Sequence, residues 1–293
     1  MSLSHDPFLR KILSNKQEAI DFLLASLPEI ISRLLVLEKL EFIQESFIGN
    51  KQEESRTDLL FKIPLKECDS SVYIYLLFEH KSYYDRKIYV QLLDYLAKIY
   101  SRQLENENSL NVVLPFVFYH GEKGWDLGTE FLDTFNKGSI PKVFLKFIPN
   151  FAIHLEILSA KGKAFQTKNL ALQLSLRVLQ TIRNEPEEFV NNLQEVYRAL
   201  IKEKEESKRI EILKNLTYYI FRVRNDADIV SKSAIIKEIE GDYMNMLEKI
   251  KFEGKLENAI ETARKMREEG LNLEQIIRIT GLTESQLREN GIA

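Results

Sequence analysis

Cysteine and histidine are scarce in this chain. Cys68 stands alone, which excludes an internal disulfide, and the four histidines at 5, 80, 120 and 154 are too scattered for a zinc site. Any metal must therefore be held mainly by oxygen ligands, which favours Mg²⁺ or Mn²⁺. No apolar run approaches the roughly 18 residues of a membrane span, and Met1-Ser2-Leu3-Ser4-His5-Asp6-Pro7 has no basic segment leading into an apolar one. These absences lead us to expect a cytoplasmic protein without a membrane partner. The formal net charge of -3 gives no global attraction to nucleic acid, so any such binding must rest on local basic groups. No linker rich in glycine, proline or serine divides the chain, and 44% hydrophobic content over 293 residues is enough for a substantial core.

What is present reads as a helical opening, a sheet and a helical remainder. Asp6 before Pro7 reads as a helix cap, and Phe8, Leu9, Ile12 and Leu13 follow as one apolar stripe. A second helix starts after the cap segment Ser14-Asn15-Lys16 and stops at Pro28, and a third is expected over residues 28–39. Strands are expected from residue 40, over 56–65, over 72–80 and over 112–119, where Pro115 argues for an edge or a bend. The third of these is apolar on both faces, as a covered central strand is. An amphipathic helix with Ile88, Leu92, Leu96 and Ile99 buried lies between the last two strands, and residues 143–158, interrupted at Pro149-Asn150, read as one or two more strands. Helices are expected over 170–182, 185–201, 205–223 and 235–251. The end of the chain reads as helix, glycine turn and capped helix, with Thr283 and Gln286 as a capping box. Its second helix is short and offers Arg288 alone for base reading, so a packing hairpin and a DNA-reading helix-turn-helix are both open.

The chemistry concentrates between residues 58 and 81. Asp58, Glu79 and Lys81 interrupt or end apolar strands, where an unpaired charge costs several kcal/mol, roughly, unless a partner or a metal compensates. The two-residue period puts Glu79 and Lys81 on one face. If the strands bearing Asp58 and Glu79 pair as a hairpin, both carboxylates reach one end of the sheet and can share an ion, with the His80 backbone carbonyl as a third oxygen ligand. Satisfaction of the carboxylates by lysine or arginine is the alternative. The following helix carries Gln91 and a basic set, Arg86, Lys87, Lys98 and Arg102, suited to nucleic-acid phosphates.

The order helix, strand, Asp strand, Glu-x-Lys strand and helix with Gln91 resembles the PD-(D/E)XK nuclease superfamily. Asp6-Pro7-Phe8-Leu9-Arg10-Lys11, Thr57-Asp58-Leu59-Leu60, Leu77-Phe78-Glu79-His80-Lys81-Ser82 and Leu114-Pro115-Phe116-Val117-Phe118-Tyr119-His120-Gly121 with Trp125 look more closely like the bacterial recombination-promoting nuclease (Rpn) and transposase family. The resemblance implies a restriction-endonuclease-like α/β fold, a mixed central sheet flanked by helices and followed by an all-helical C-terminal region. It implies that Asp58 and Glu79 hold a catalytic Mg²⁺ or Mn²⁺, that Lys81 positions the nucleophile or phosphate, and that Gln91 supports the site. Asp6 could add a carboxylate, although its capping role explains it equally well. Lys81 stands where family members often carry glutamine, and Thr57 stands where the superfamily's name has proline. The expected organisation is a nuclease-like unit over 1–160, a helical region over 161–250 and a hairpin over 251–293. The expected function is metal-dependent DNA cleavage of low sequence specificity, linked to recombination, mobile elements or defence. A catalytically silent module that binds DNA or protein is the alternative, and the charged helical half is a surface through which copies could associate.

Overall fold

The structure, a computed structural model, describes residues 5–43, 59–79, 87–107, 109–121, 124–160, 162 and 165–292, with only the backbone described at 5–7, 107 and 252–254. Five strands form one mixed sheet in chain order: β1 (Glu41–Ile43), β2 (Leu59–Pro64), β3 (Ser71–Glu79), β4 (Val112–Tyr119) and β5 (His154–Ile157). The β1/β2 and β2/β3 pairs are antiparallel, and β3/β4 and β4/β5 are parallel. β3 lies in the middle, and every residue from Tyr73 to Glu79 is buried, as its two apolar faces require.

Alternation along the strands divides the core in two. Phe61, Ile74, Leu76, Phe78, Phe116 and Phe118 face α1 (His5–Leu13), α2 (Lys16–Ser26) and the later helices. Phe22 of α2 anchors this side, its ring 5.6 Å from Phe116 and 5.5 Å from Phe118. Leu60, Tyr73, Tyr75, Leu77, Val113 and Val117 face α4 (Lys87–Glu107) and the long connection from β4 to β5. On α4 the expected stripe is present, with Ile88, Leu92, Leu96 and Ile99 all buried. Burying one such side chain is worth about 1.5–3 kcal/mol, so this stripe alone fixes how α4 lies on the sheet.

The helices α6 (Leu170–Thr181), α7 (Pro186–Leu200), α8 (Glu206–Val223), α9 (Ala227–Ala234) and the start of α10 (Glu240–Glu268) share the first core rather than forming one of their own. Phe8 of α1 stacks on Tyr219 of α8 at 4.0 Å, which ties the N-terminal and C-terminal halves together. The far end of α10 joins α11 (Leu273–Thr280) and α12 (Glu284–Glu289) around a separate small core of Ala263, Ile276, Leu282, Leu287 and Ile292. Gly281 between the last two helices has φ 71°, and Thr283 and Gln286 form the capping box. Among the described residues no helix is long and apolar enough to cross a membrane.

Several expectations need correction. α1 begins at His5, so Asp6 lies in the first turn instead of preceding it as the cap. In place of a helix over 28–39 there is α3 (Glu29–Ser32) and a short 3₁₀ turn, Leu37–Lys39. Tertiary pairing overrides helix propensity there: Val36 donates its N–H to the Pro64 carbonyl, and Lys66 donates to Leu34. Pro115 lies in an internal strand, but β5 pairs only from Phe116 onward, so β4 is still the edge at the proline. Residues 143–148 form no strand; α5 (Lys142–Leu145), entered through Pro141, takes their place. α4 continues to Glu107, α9 had no counterpart among the expected helices, and α10 runs to Glu268.

Candidate active site

Glu79 is the last residue of β3 and only 8% exposed. Phe78 points into the first core and Leu77 into the second, so alternation turns Glu79 toward the α4 face. Leu59, the first residue of β2, pairs with Leu76, which brings the start of β2 to the Glu79 end of β3. Because β3 and β4 are parallel and α4 connects them, the first turn of α4 also lies at that end. The sheet end carrying Glu79 is thus where the start of β2, the end of β4 and the start of α4 meet.

An aromatic cluster braces this end. Tyr119 pairs with Glu79 in the parallel register, and the next residue, His120, donates its backbone N–H to the Glu79 carbonyl at 2.8 Å. Tyr119 is fully buried, with Trp125 edge-on at 5.3 Å, and Trp125 lies 6.4 Å from Tyr89 in the first turn of α4. The Trp125 indole N–H and the Tyr89 hydroxyl both donate to the Gly128 carbonyl, at 2.7 and 2.8 Å. Burial, with Asp133 adding to it, pushes the Tyr89 hydroxyl up to about 12, so it stays a protonated donor at any working pH. Gly128 has φ 75°, and a Cβ there would come within 2.8 Å of the Asp133 side chain, so both backbone and space demand glycine. Gly121 is required for a different reason, since a Cβ on it would overlap the Tyr119 ring.

The expected site residues are placed unevenly. Asp58, Lys81, the His80 carbonyl and Arg86 lie outside the described residues. Gln91 is half-buried one turn into α4, at the Glu79 end of the helix. Lys87 is exposed at the start of α4. Lys98 pairs with Asp94 at 2.9 Å and Arg102 with Glu105 at 3.9 Å. Both pairs are exposed, worth roughly 0–1 kcal/mol each, so they lower the basicity of this face but would exchange readily with a phosphate. Among the described residues no group of three or more His, Cys, Asp or Glu side chains could hold a metal. Glu79 is the one member of the expected ligand set within them. Its chemistry, a hard carboxylate at a rigid strand end, suits Mg²⁺ or Mn²⁺ rather than a softer ion.

Reading from sequence marks Trp125, with Gly128 among the glycines near it, without giving either a role, and passes over Tyr89. It also passes over Gln103, fully buried near the end of α4, which accepts the Asn111 N–H at 2.7 Å. Asn111 in turn accepts from the Ser71 N–H and the Ser70 hydroxyl, both at 3.1 Å, which locks the starts of β3 and β4 at the opposite end of the sheet. On the other face of the sheet, His154 of β5 bonds through Nε2 to the Ser26 carbonyl at 2.9 Å, which makes that nitrogen the donor. Burial pushes His154 down and pushes the neighbouring Glu156 carboxyl up.

Over 292 residues the chain is 26% identical to recombination-promoting nuclease RpnA of Escherichia coli (strain K12), covering 98% of this chain and 96% of the relative. Recombination-promoting nuclease RpnD of Escherichia coli O157:H7 is 30% identical over 131 residues, 43% of this chain and half of the relative. A third relative, named inactive recombination-promoting nuclease-like protein RpnE, from the K12 strain, is 23% identical over 98% of this chain and 97% of its own length. No solved structure matches. Residues 3–211, well over half of the chain, match the family described as "Putative transposase, YhgA-like", and the protein belongs to that family.

Proposed function

We propose that the chain is a nuclease, a divalent-metal-dependent DNA endonuclease of low sequence specificity. The observation that carries this reading is Glu79, a carboxylate buried at the end of the central strand, where the start of β2 and the first turn of α4 converge. The names of RpnA and RpnD support the reaction class. In this reading Asp58, one residue before Leu59, and the His80 carbonyl, one residue after Glu79, complete an oxygen ligand set with Glu79. The bound Mg²⁺ or Mn²⁺ would supply Lewis-acid activation of water and neutralise charge on the phosphate. Lys81 holds the attacking water or a phosphate oxygen, and Gln91 supports the site from α4. The cluster of Tyr119, Trp125 and Tyr89 keeps the strand end rigid, so that the Glu79 carboxylate is held in place before substrate arrives.

The test is cleavage of plasmid DNA by purified protein with Mg²⁺ or Mn²⁺. Asp58→Ala and Glu79→Ala should each abolish it, and metal-independent cleavage, or full activity in both variants, would overturn the assignment. A second reading is favoured by the name of RpnE, a full-length relative labelled inactive: a nuclease-like module that binds DNA or protein without cutting. Salt-sensitive DNA binding by protein that cuts with none of several divalent metals would establish that reading instead.

A further inference from the structure

The connection between β4 and β5 is built on the aromatic cluster beside Glu79. It leaves β4 at His120, contributes Trp125 and Gly128 to that cluster, and stacks Phe131 on Phe151 at 5.4 Å. Tyr89 lies 6.3 Å from both of those rings, so the lobe is rooted on the first turn of α4. At its tip, α5 points its apolar residues outward: Val143 is 60% exposed, Phe144 57% and Phe147 70%. Ile148 turns back into the second core, so the tip is anchored although its rings are bare.

The connection as a whole carries four acidic residues and four lysines, but all the acids precede Thr134, so the charge at the tip is one-sided. From Thr134 to Leu155 the chain has Lys137, Lys142 and Lys146 and no acidic residue, in a protein whose net charge is -3. Lys137 is paired with Asp133 at 2.8 Å. Among the described residues neither Lys142 nor Lys146 has an ion-pair partner, and the Lys146 ammonium sits 5.1 Å from the centre of the Phe147 ring. Bare phenylalanines alternating with lysines that have no carboxylate partner among the described residues, on an anchored tip, match one occupant by charge and shape, a nucleic-acid strand with accessible base faces. The rings stack on bases while the ammonium groups meet phosphates. An intact duplex hides its base faces and offers only the phosphates.

We infer that α5 is a nucleic-acid contact element in which Phe144 and Phe147 stack on unpaired bases and Lys142 and Lys146 bind the adjoining phosphates. The preferred substrate is then DNA with single-stranded or unstacked bases. This rests on the nuclease reading only for its biological use, because binding can be measured without cleavage.

The experiment uses the full chain carrying Glu79→Gln, so that no substrate is consumed, and fluorescence anisotropy with a short single-stranded oligonucleotide and its duplex. Adding Phe144→Ala and Phe147→Ala should cut single-strand affinity by about tenfold or more, with a much smaller effect on the duplex. Lys142→Gln with Lys146→Gln should flatten the slope of log affinity against log salt by about 1.4, two phosphates at roughly 0.7 each. All four side chains are exposed, so unfolding midpoints should stay unchanged. Unchanged single-strand affinity in the ring variant overturns the inference even if the wild type cuts DNA. Lost affinity supports it even if the wild type never cuts. Anionic lipid vesicles and size-exclusion chromatography serve as controls: if the ring variant loses only vesicle binding or self-association, the element serves a membrane or a second copy and the inference fails.

Discussion

Replacing Gly121 with alanine tests the brace around Glu79 directly. The added Cβ would lie 2.7 Å from Cε2 of Tyr119 and closer still to Cζ and the hydroxyl. Tyr119 is fully buried and held edge-on by Trp125 at 5.3 Å, so its ring has no free space to enter. Overpacking a filled core usually costs about 1–3 kcal/mol, and the depth of this overlap argues for the upper end. Gly121 is not among the glycines with positive φ, so backbone strain should contribute little. The two causes separate in a double-mutant cycle. Tyr119→Leu removes Cε2, Cζ and the hydroxyl, the atoms that would be struck, so in that background Gly121→Ala should cost under about 1 kcal/mol, a coupling of about 2 kcal/mol. Urea unfolding followed by circular dichroism gives the free energies, and fluorescence of Trp125, the single tryptophan, reports on the cluster itself. An equal cost of Gly121→Ala in both backgrounds would refute the steric argument.

Three further outcomes are expected. Trp125→Phe and Tyr89→Phe should each cost about 1 kcal/mol in urea unfolding, and the double variant clearly more than their sum, because only it strips the Gly128 carbonyl of both side-chain donors; strict additivity would show that the carbonyl is rescued elsewhere. Burial holds the Glu156 carboxyl above its ordinary value, so its ionisation opposes folding: Glu156→Gln and wild type should match in acid and diverge as pH rises through the folded value, the variant being more stable at neutral pH. A wild type that is the more stable at neutral pH would contradict this. Arg224 donates to both Asp226 oxygens at 2.7 Å and holds that carboxyl below its ordinary value, so stability from this pair is present above the usual carboxylate range and lost as pH falls through the folded value. Asp226→Asn should remove that acid dependence and cost about 1–2 kcal/mol at neutral pH, read from urea midpoints across pH.

The parts of the fold legible in the sequence were those with a strong period. The doubly apolar run ending at Glu79 named the central strand, and Ile88, Leu92, Leu96 and Ile99 named the helix that covers it. The capping box at Thr283 and the glycine before it gave the C-terminal turn. Where the readings failed, tertiary contacts decided. The Leu34–Val36 segment has helix-compatible residues but satisfies its backbone against the end of β2 and the turn that follows it. Residues 143–148 look like a strand because they are apolar, yet Val143, Phe144 and Phe147 face solvent on a short helix, which no hydrophobic pattern announces. Of the candidate site, Glu79 is conspicuous in the sequence, since a carboxylate ends an apolar run there. The support from Tyr89 was hidden because its hydroxyl reaches the Gly128 carbonyl, 39 residues away in the chain.

The most direct test is a plasmid-nicking assay that compares wild type with Glu79→Gln, a change that keeps the shape of the side chain and removes its charge. Both proteins are first matched by circular dichroism and urea midpoint, then assayed with Mg²⁺, Mn²⁺ and chelator. The expected result is metal-dependent nicking by the wild type and a loss of at least about a hundredfold in the variant, on the order of 3 kcal/mol of transition-state stabilisation. Wild-type rates in a folded Glu79→Gln protein would contradict it.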